Sequence, residues 1–194
     1  ASFMEKTGIP WAFTYGNHDT ESLASASSYE LNELYKSLSW KSGYNLLYSS
    51  TQPEINGKKI WGRNNQLIEI RNSDGSLNQA VFLLDSNAYT GEGLNAYDYI
   101  HDDQVEWYKN EIQRLNKKEN KTISSLGFFH MPLQQYKTAY DLYRSGSDEV
   151  KYYFGSNGET NNLITASKHS SKLFDAAVEL GSTKGFFCCH DHYH

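Results

Sequence analysis

The chain has 194 residues, with 18 Lys and Arg against 23 Asp and Glu, a formal net charge of −5 at pH 7. That mild acidity, with no long Lys/Arg cluster, speaks against a protein that grips a nucleic-acid backbone and favours small substrates. No window approaches the roughly 20 consecutive apolar residues of a membrane-spanning helix, and 15 Tyr, 9 Phe and 4 Trp bring enough large apolar surface to argue against intrinsic disorder in what reads as one domain, residues 1–194.

The first strand is expected over residues 11–15, an apolar and aromatic run entered by Pro10 and closed by Gly16-Asn17. It delivers Asn17, His18 and Asp19 to a loop. Leu31, Leu34, Tyr35 and Leu38 then follow the i, i+3, i+4, i+7 spacing of one buried helix face, with Ser27 or Ser28 as the cap and an end near Trp40. Short strands come next: one over 46–49, a hairpin turn at Asn56-Gly57, and an antiparallel pair, 67–70 and 80–84, around Asn72-Ser73-Asp74-Gly75. The run 80–84 is continuously apolar, the type buried on both faces of a sheet, and it ends at Asp85, Ser86 and Asn87.

Asp102 and Asp103 open the clearest helix, with Val105, Tyr108, Ile112 and Leu115 on one side and Lys117 and Lys118 at its close. Residues 126–129 form a short apolar strand with His130 at its end. Residues 146–162, rich in Gly, Ser, Asn and Tyr, read as a long loop, either disordered or functional. A last helix over 170–180 stops at Gly181, and a last strand, 185–189, ends at His190. Cys188 and Cys189 are neighbours in that strand and point to opposite faces, so no disulfide is expected between them. Strand and helix in alternation, broken by a hairpin region and with no internal repeat, predict an α/β layered fold with a mixed sheet.

The chemistry gathers at strand ends. In open α/β sheets the ligand crevice lies beyond the carboxyl ends of the strands, so Asn17-His18-Asp19, Asp85-Ser86-Asn87, His130 and His190-Asp191-His192 are placed to converge. The one-residue gap of His190-x-His192 sets both imidazoles on one face of an extended chain, with Asp191 on the other. Taken singly, a histidine such as His130 is more often a hydrogen-bonding or surface residue than a ligand, and the histidine pair with His194 also admits a surface ladder or the start of a tag.

Together the residues carry a resemblance. Gly16-Asn17-His18-Asp19 after a strand, His130 in Phe-Phe-His-Met-Pro, and the terminal Cys-His-Asp-His resemble the third, fourth and fifth motifs of the calcineurin-like metallophosphoesterases, in the same order and at agreeing separations. Gly8-Ile9-Pro10-Trp11, the strand end Leu84-Asp85-Ser86 and the helix start Asp103-Gln104-Val105-Glu106-Trp107 are similar to the purple-acid-phosphatase-like branch. The resemblance implies a layered α/β sandwich with mixed β-sheets flanked by helices. It further implies that Asn17, His130 and His190 bind one metal, that His192 binds another, and that His18 faces the scissile phosphate as proton donor or charge stabiliser. The implied cofactors are two divalent or mixed-valence ions of Fe, Zn or Mn, and the implied partner is a small phosphorylated substrate, monoester or diester. Asp19 divides between backbone support of its loop and a catalytic part, and Asp85, which fits neither ligand motif, reads as a strand-end cap near the site.

The pattern is also broken. The family's upstream Asp-x-His and Gly-Asp motifs have no counterpart in residues 1–16. The expectation is therefore a truncated piece of a metallophosphoesterase, incomplete at the N-terminus, inactive alone and holding at most a weak single-metal site at Asn17, His130 and His190. Two dications held close repel strongly unless anionic ligands lie between them. Cys189 stands where the family commonly has Gly and is expected to pack, and His194 stands where the branch often has Asn.

Two other readings compete. Trp40, Trp61, Tyr140, Tyr143, Tyr152 and Tyr153 suit a carbohydrate- or partner-binding surface, against the expectation that most of these rings fill the core. A single-zinc hydrolase built from His130, His190 and His192 has no acidic base nearby other than Asp191. Tyr89, Tyr136 and Tyr140, with the 146–162 loop, are candidates to line the crevice. Compartment and oligomeric state carry no signal in this sequence.

Overall fold

The computed structural model describes residues 2–21, 26–39, 44, 46, 52–93, 96–155 and 163–192. In chain order these form α1 (Ser2–Lys6), a one-turn 3₁₀ helix at Asn17–Thr20, α2 (Ser28–Ser39), β1 (Glu54–Ile55), β2 (Lys58–Lys59), β3 (Gln66–Arg71), β4 (Leu77–Leu83), α3 (Asp102–Glu119), β5 (Ser124–Phe128), α4 (Gln134–Arg144), α5 (Leu173–Leu180) and β6 (Thr183–Phe187). Strands β1 and β2 make a two-stranded hairpin, and the other four form one sheet in the order β3-β4-β5-β6. β3 and β4 are antiparallel, while β4, β5 and β6 run parallel. This mixed sheet flanked by helices is the α/β layering the alternation predicts, and it is consistent with a metallophosphoesterase-type sandwich.

Local chemistry explains the elements. The β1–β2 turn has Asn56 at φ 51° and Gly57 at φ 75°, the left-handed pair that a tight hairpin demands and that Asn-Gly supplies. Ser27 caps α2: its hydroxyl accepts the Glu30 N–H at 3.3 Å while its own N–H donates to the Glu30 carboxylate at 2.8 Å, closing a reciprocal box. In α3 the four apolar positions read from the spacing, Val105, Tyr108, Ile112 and Leu115, are all buried. They meet Leu77, Ala80, Phe82 and Leu84 from the β4 segment and Leu173, Ala176 and Ala177 from α5 in one core. Fully burying such a side chain is worth roughly 1.5–3 kcal/mol, so this seam sets where the strand ends lie.

The start of α3 is bolted to the end of β4. Gln104 Nε2 donates to the Asp85 carbonyl at 2.8 Å and to Asn65 Oδ1 at 2.7 Å, and Asn65 Oδ1 accepts the Asp85 N–H at 3.0 Å. Asp85 itself is buried and accepts the N–H groups of Arg63 at 2.7 Å and Asn87 at 2.9 Å. Burial is the largest influence on its carboxyl and pushes it above the usual range despite those bonds. Asp85 is thus a strand-end cap, as the sequence suggests.

Several expectations need correction. Residues 11–15 do not form a strand: only Trp11 makes a ladder-like exchange, with Tyr44 and Leu46. The backbone beyond it is satisfied sideways, the Phe13 carbonyl accepting from Asn64 Nδ2 at 2.7 Å, and Thr14 Oγ1 donates to the Leu84 carbonyl at 3.1 Å. β5 and β6 begin two residues earlier than expected, and α5 begins at Leu173 instead of residue 170. Helices α1 and α4 carry no forecast. Trp40 and residues 47–49 lie outside the described residues, as do 156–162 of the long loop; its part from 146 to 155 holds no helix or strand.

Candidate active site

The loop after residue 15 turns at once into the 3₁₀ helix, and Asp19 makes the turn possible: its carboxylate accepts the Gly16 N–H at 2.8 Å. Asp19 thereby serves the backbone-support role. Gly16 is required for a separate reason, since a Cβ there would lie 2.9 Å from the His130 ring. The loop and the end of β5 therefore close on each other with no room for a side chain between them.

That closure brings the donors together. Asn17 is buried, and its Oδ1 lies 2.8 Å from His130 Nε2. His190 Nδ1 lies 3.2 Å from the same nitrogen, with the two rings nearly perpendicular at 77°. Three lone-pair atoms from residues 17, 130 and 190 thus converge. Burial, reinforced by the neighbouring His190, holds the His130 imidazole down at about 4, so at neutral pH it is the uncharged form that ligates metals. His18 and His192 face each other across the mouth, ring centroids 5.7 Å apart. Four of the five residues singled out from the sequence, Asn17, His18, His190 and His192, line one cavity of about 360 Å³, and His130 adjoins it through its contacts with Asn17 and His190.

Glu21 and Tyr97 also line this cavity and escaped the sequence reading. Glu21 Oε2 sits 2.7 Å from His18 Nδ1. Its other oxygen accepts from Tyr89 OH at 2.6 Å and from Asn17 Nδ2 at 3.0 Å. The Tyr89 hydroxyl, then His18 and Asn17, hold the Glu21 carboxyl down at about 2. Tyr97 presents itself edge-on to His190 at 4.6 Å and stacks on Tyr89 at 5.5 Å, and the two tyrosines pair through a single antiparallel bridge. The available signal was the i, i+3 spacing of His18 and Glu21, which a single helical turn places side by side.

Tyr89 lines the crevice as expected, but Tyr136 does not. Its hydroxyl donates to the Phe186 carbonyl, and its ring lines a separate apolar groove of about 420 Å³ between α4, α5 and β6 that shares no lining residue with the histidine cavity. Tyr140 lines neither. Cys189 is exposed and not packed, whereas Cys188 is partly buried; both are free thiols. The expectation that the named aromatic set fills the core also fails: Trp61 is 52% exposed and Tyr153 82%. Tyr15, Phe82, Trp107, Tyr108 and Phe129 are buried instead.

The donor set fits one cation better than two. Two imidazole nitrogens and an amide oxygen suit a borderline divalent ion such as Zn, Fe or Mn. Among the described residues no group of three or more His, Cys, Asp or Glu side chains is arranged to hold a metal. Every nearby carboxylate is committed: Asp19 to Gly16 N–H, Glu21 to its three partners, Asp85 to its strand-end bonds, and Asp191 to Thr165 N–H at 3.1 Å. Among the described residues the three-histidine zinc site is likewise not assembled as a metal-holding group, and the His192 ring lies beside that of His18.

The chain is 25% identical, over 96% of its length, to the probable inactive purple acid phosphatase 14 of Arabidopsis thaliana. It is 29% identical, over 95%, to the phosphatase DCR2 of Saccharomyces cerevisiae, and 25% identical, over 95%, to the probable inactive purple acid phosphatase 28 of Arabidopsis thaliana. These distant likenesses bear out the resemblance to the purple-acid-phosphatase-like branch. The chain spans 46%, 30% and 45% of those proteins respectively, less than half of each. No family model and no solved structure matches it. No helix among the described residues is long and apolar enough to cross a membrane.

Proposed function

We propose that these residues form one half of a phosphoesterase site, in which Asn17, His130 and His190 hold a divalent cation and His18 donates a proton to the leaving oxygen of a small phosphate monoester or diester. The observation that carries this reading is that His130 Nε2 lies 2.8 Å from Asn17 Oδ1 and 3.2 Å from His190 Nδ1, joining segments more than a hundred residues apart at the extremes. The names of the relatives support phosphatase-type chemistry, and two of those cited are called inactive.

A bound divalent ion would polarise a phosphoryl oxygen and lower the pKa of a bound water. The protein's own contribution is positional. His130, kept neutral by burial, would offer the Nε2 lone pair to a cation in its Nδ1–H tautomer, whereas without one Nε2–H donates to Asn17 Oδ1 at 2.8 Å. His18, more than half exposed and beside the anionic Glu21, stands at the cavity mouth where a leaving group departs, and an imidazole suits general-acid work near neutral pH. His192, on the opposite wall from His18, is the ligand or phosphate contact of a second cation. A second cation would need anionic ligands beyond the described residues, and full two-metal turnover would depend on them.

The test is hydrolysis of an aryl phosphate by the chain and by a form carrying additional native upstream sequence, each with Zn, Mn or Fe. Turnover in the longer form that falls at least a hundredfold in His18→Ala, with metal content retained, supports the reading. Metal loss in His18→Ala would make His18 a ligand, and failure of both forms to turn over with metal bound would remove the hydrolase.

A further inference from the structure

The phosphoesterase reading explains Asn17, His18, His130 and His190 but leaves a carboxylate in their midst without a task. Glu21 ends the turn that begins at Asn17, and it touches two of the proposed functional side chains at once. Its Oε1 receives Asn17 Nδ2 at 3.0 Å and Tyr89 OH at 2.6 Å, and its Oε2 lies 2.7 Å from His18 Nδ1.

We propose that Glu21 is the positioning residue of this site, fixing which end of the Asn17 amide faces His130 and which nitrogen of His18 carries the proton. The proposal rests on the phosphoesterase reading for its purpose, though not for its test.

The argument is one of donors and acceptors. A carboxylate only accepts, and an amide NH₂ only donates. Anchored through Nδ2, the Asn17 amide must turn Oδ1 toward His130 Nε2, where it lies 2.8 Å away. Flipped, the amide would present N–H groups to the point where the lone pairs converge and would repel a cation. The same rule fixes His18: facing a carboxylate at 2.7 Å, Nδ1 carries the hydrogen. Nε2 is then the nitrogen that exchanges a proton with substrate.

Tyr89 completes the clamp. Its hydroxyl donates to Glu21 and accepts from Asn17 Nδ2 at 3.3 Å, and its ring is tied through Tyr97 to His190. One carboxylate therefore links the 17–21 turn to the wall that packs on His190. Partners of this kind set ligand orientation, and their loss typically costs about 10- to 100-fold in metal affinity.

The experiment is nitrogen NMR of the ¹⁵N-labelled, metal-free chain at about pH 8, where an ordinary imidazole is neutral. His18 ring signals are assigned by their loss in His18→Ala, and Asn17 side-chain signals by their loss in Asn17→Ala. In the wild type, His18 is expected as the Nδ1–H tautomer. In Glu21→Ala its ring should revert to the mixture of a free imidazole, the Asn17 amide signals should move, and Zn²⁺ affinity should fall about 10- to 100-fold. Tyr89→Phe, which leaves the carboxylate in place, should keep the His18 tautomer while moving the Asn17 amide. A wild-type His18 in the Nε2–H form, or a Glu21→Ala spectrum with both sets of signals unmoved, overturns the proposal. The wild-type tautomer and Tyr89→Phe decide the matter even if Glu21→Ala does not fold. No turnover is read, so failure of the phosphoesterase reading would show separately, in the hydrolysis assay.

Discussion

Gly16 and His130, far apart in the chain, touch so closely that a Cβ on the first would lie 2.9 Å from the ring of the second. Gly16 has φ −104°, a conformation open to any residue, so the glycine is needed for proximity and not for backbone freedom. Gly16→Ala should displace the His130 imidazole and weaken its contact with Asn17. An overpacked contact costs about 1–3 kcal/mol, so Zn²⁺ affinity is expected to fall by at least about fivefold. Titration calorimetry checks this, and unchanged affinity would mean that the ring and the loop are not wedged together.

A second close approach lies in the sheet. A Cβ on Gly127 of β5 would come 2.6 Å from the ring of Phe186 on β6, and Phe186 packs in turn on Phe129 at 5.7 Å. Gly127→Ala should cost about 1–3 kcal/mol and lower Tm by several degrees without altering the site. Differential scanning calorimetry with and without Zn²⁺ separates the two effects.

Asp98 sets an acid limit on stability. It is buried, and burial is the largest influence on its carboxyl, acting upward. The bonds from His101 Nε2 at 2.7 Å, Trp61 Nε1 at 3.1 Å and the Tyr99 N–H at 2.9 Å together outweigh that and leave it below the usual range. A carboxyl lowered in the folded state stabilises the fold above its unfolded pKa of about 3.9 and loses that contribution as pH falls through its folded value. Asp98→Asn should therefore be less stable at neutral pH and show a shallower acid limb below about pH 4. Urea midpoints at a series of pH values read this directly; parallel curves for the two proteins would rule it out.

Legibility in the sequence followed burial. Helix α3 declared itself because all four of its spaced apolar residues are buried against β4 and α5. Helix α4 did not, because its stripe of Tyr136, Ala139, Tyr140 and Tyr143 is built of tyrosine and alanine and none of its residues is buried. Residues 11–15 resembled a strand, yet Asn64 satisfies the Phe13 carbonyl with a side chain, which no periodicity forecasts. The site was legible where it follows strands: His130 lies just past β5 and His190 just past β6, whereas Asn17 joins them from a segment that follows no strand. Glu21 was not, since its tie to Tyr89 spans 68 positions and exists only once the chain has folded.

The central claim is a single-cation site made by Asn17, His130 and His190, and metal stoichiometry tests it most directly. The chain would be loaded with Zn²⁺ or Mn²⁺, dialysed, and its metal content measured per chain beside His130→Ala and His190→Ala. The account predicts close to one ion in the wild type and little in either variant. Two ions in the wild type, or a content that survives removal of both imidazoles, would contradict it.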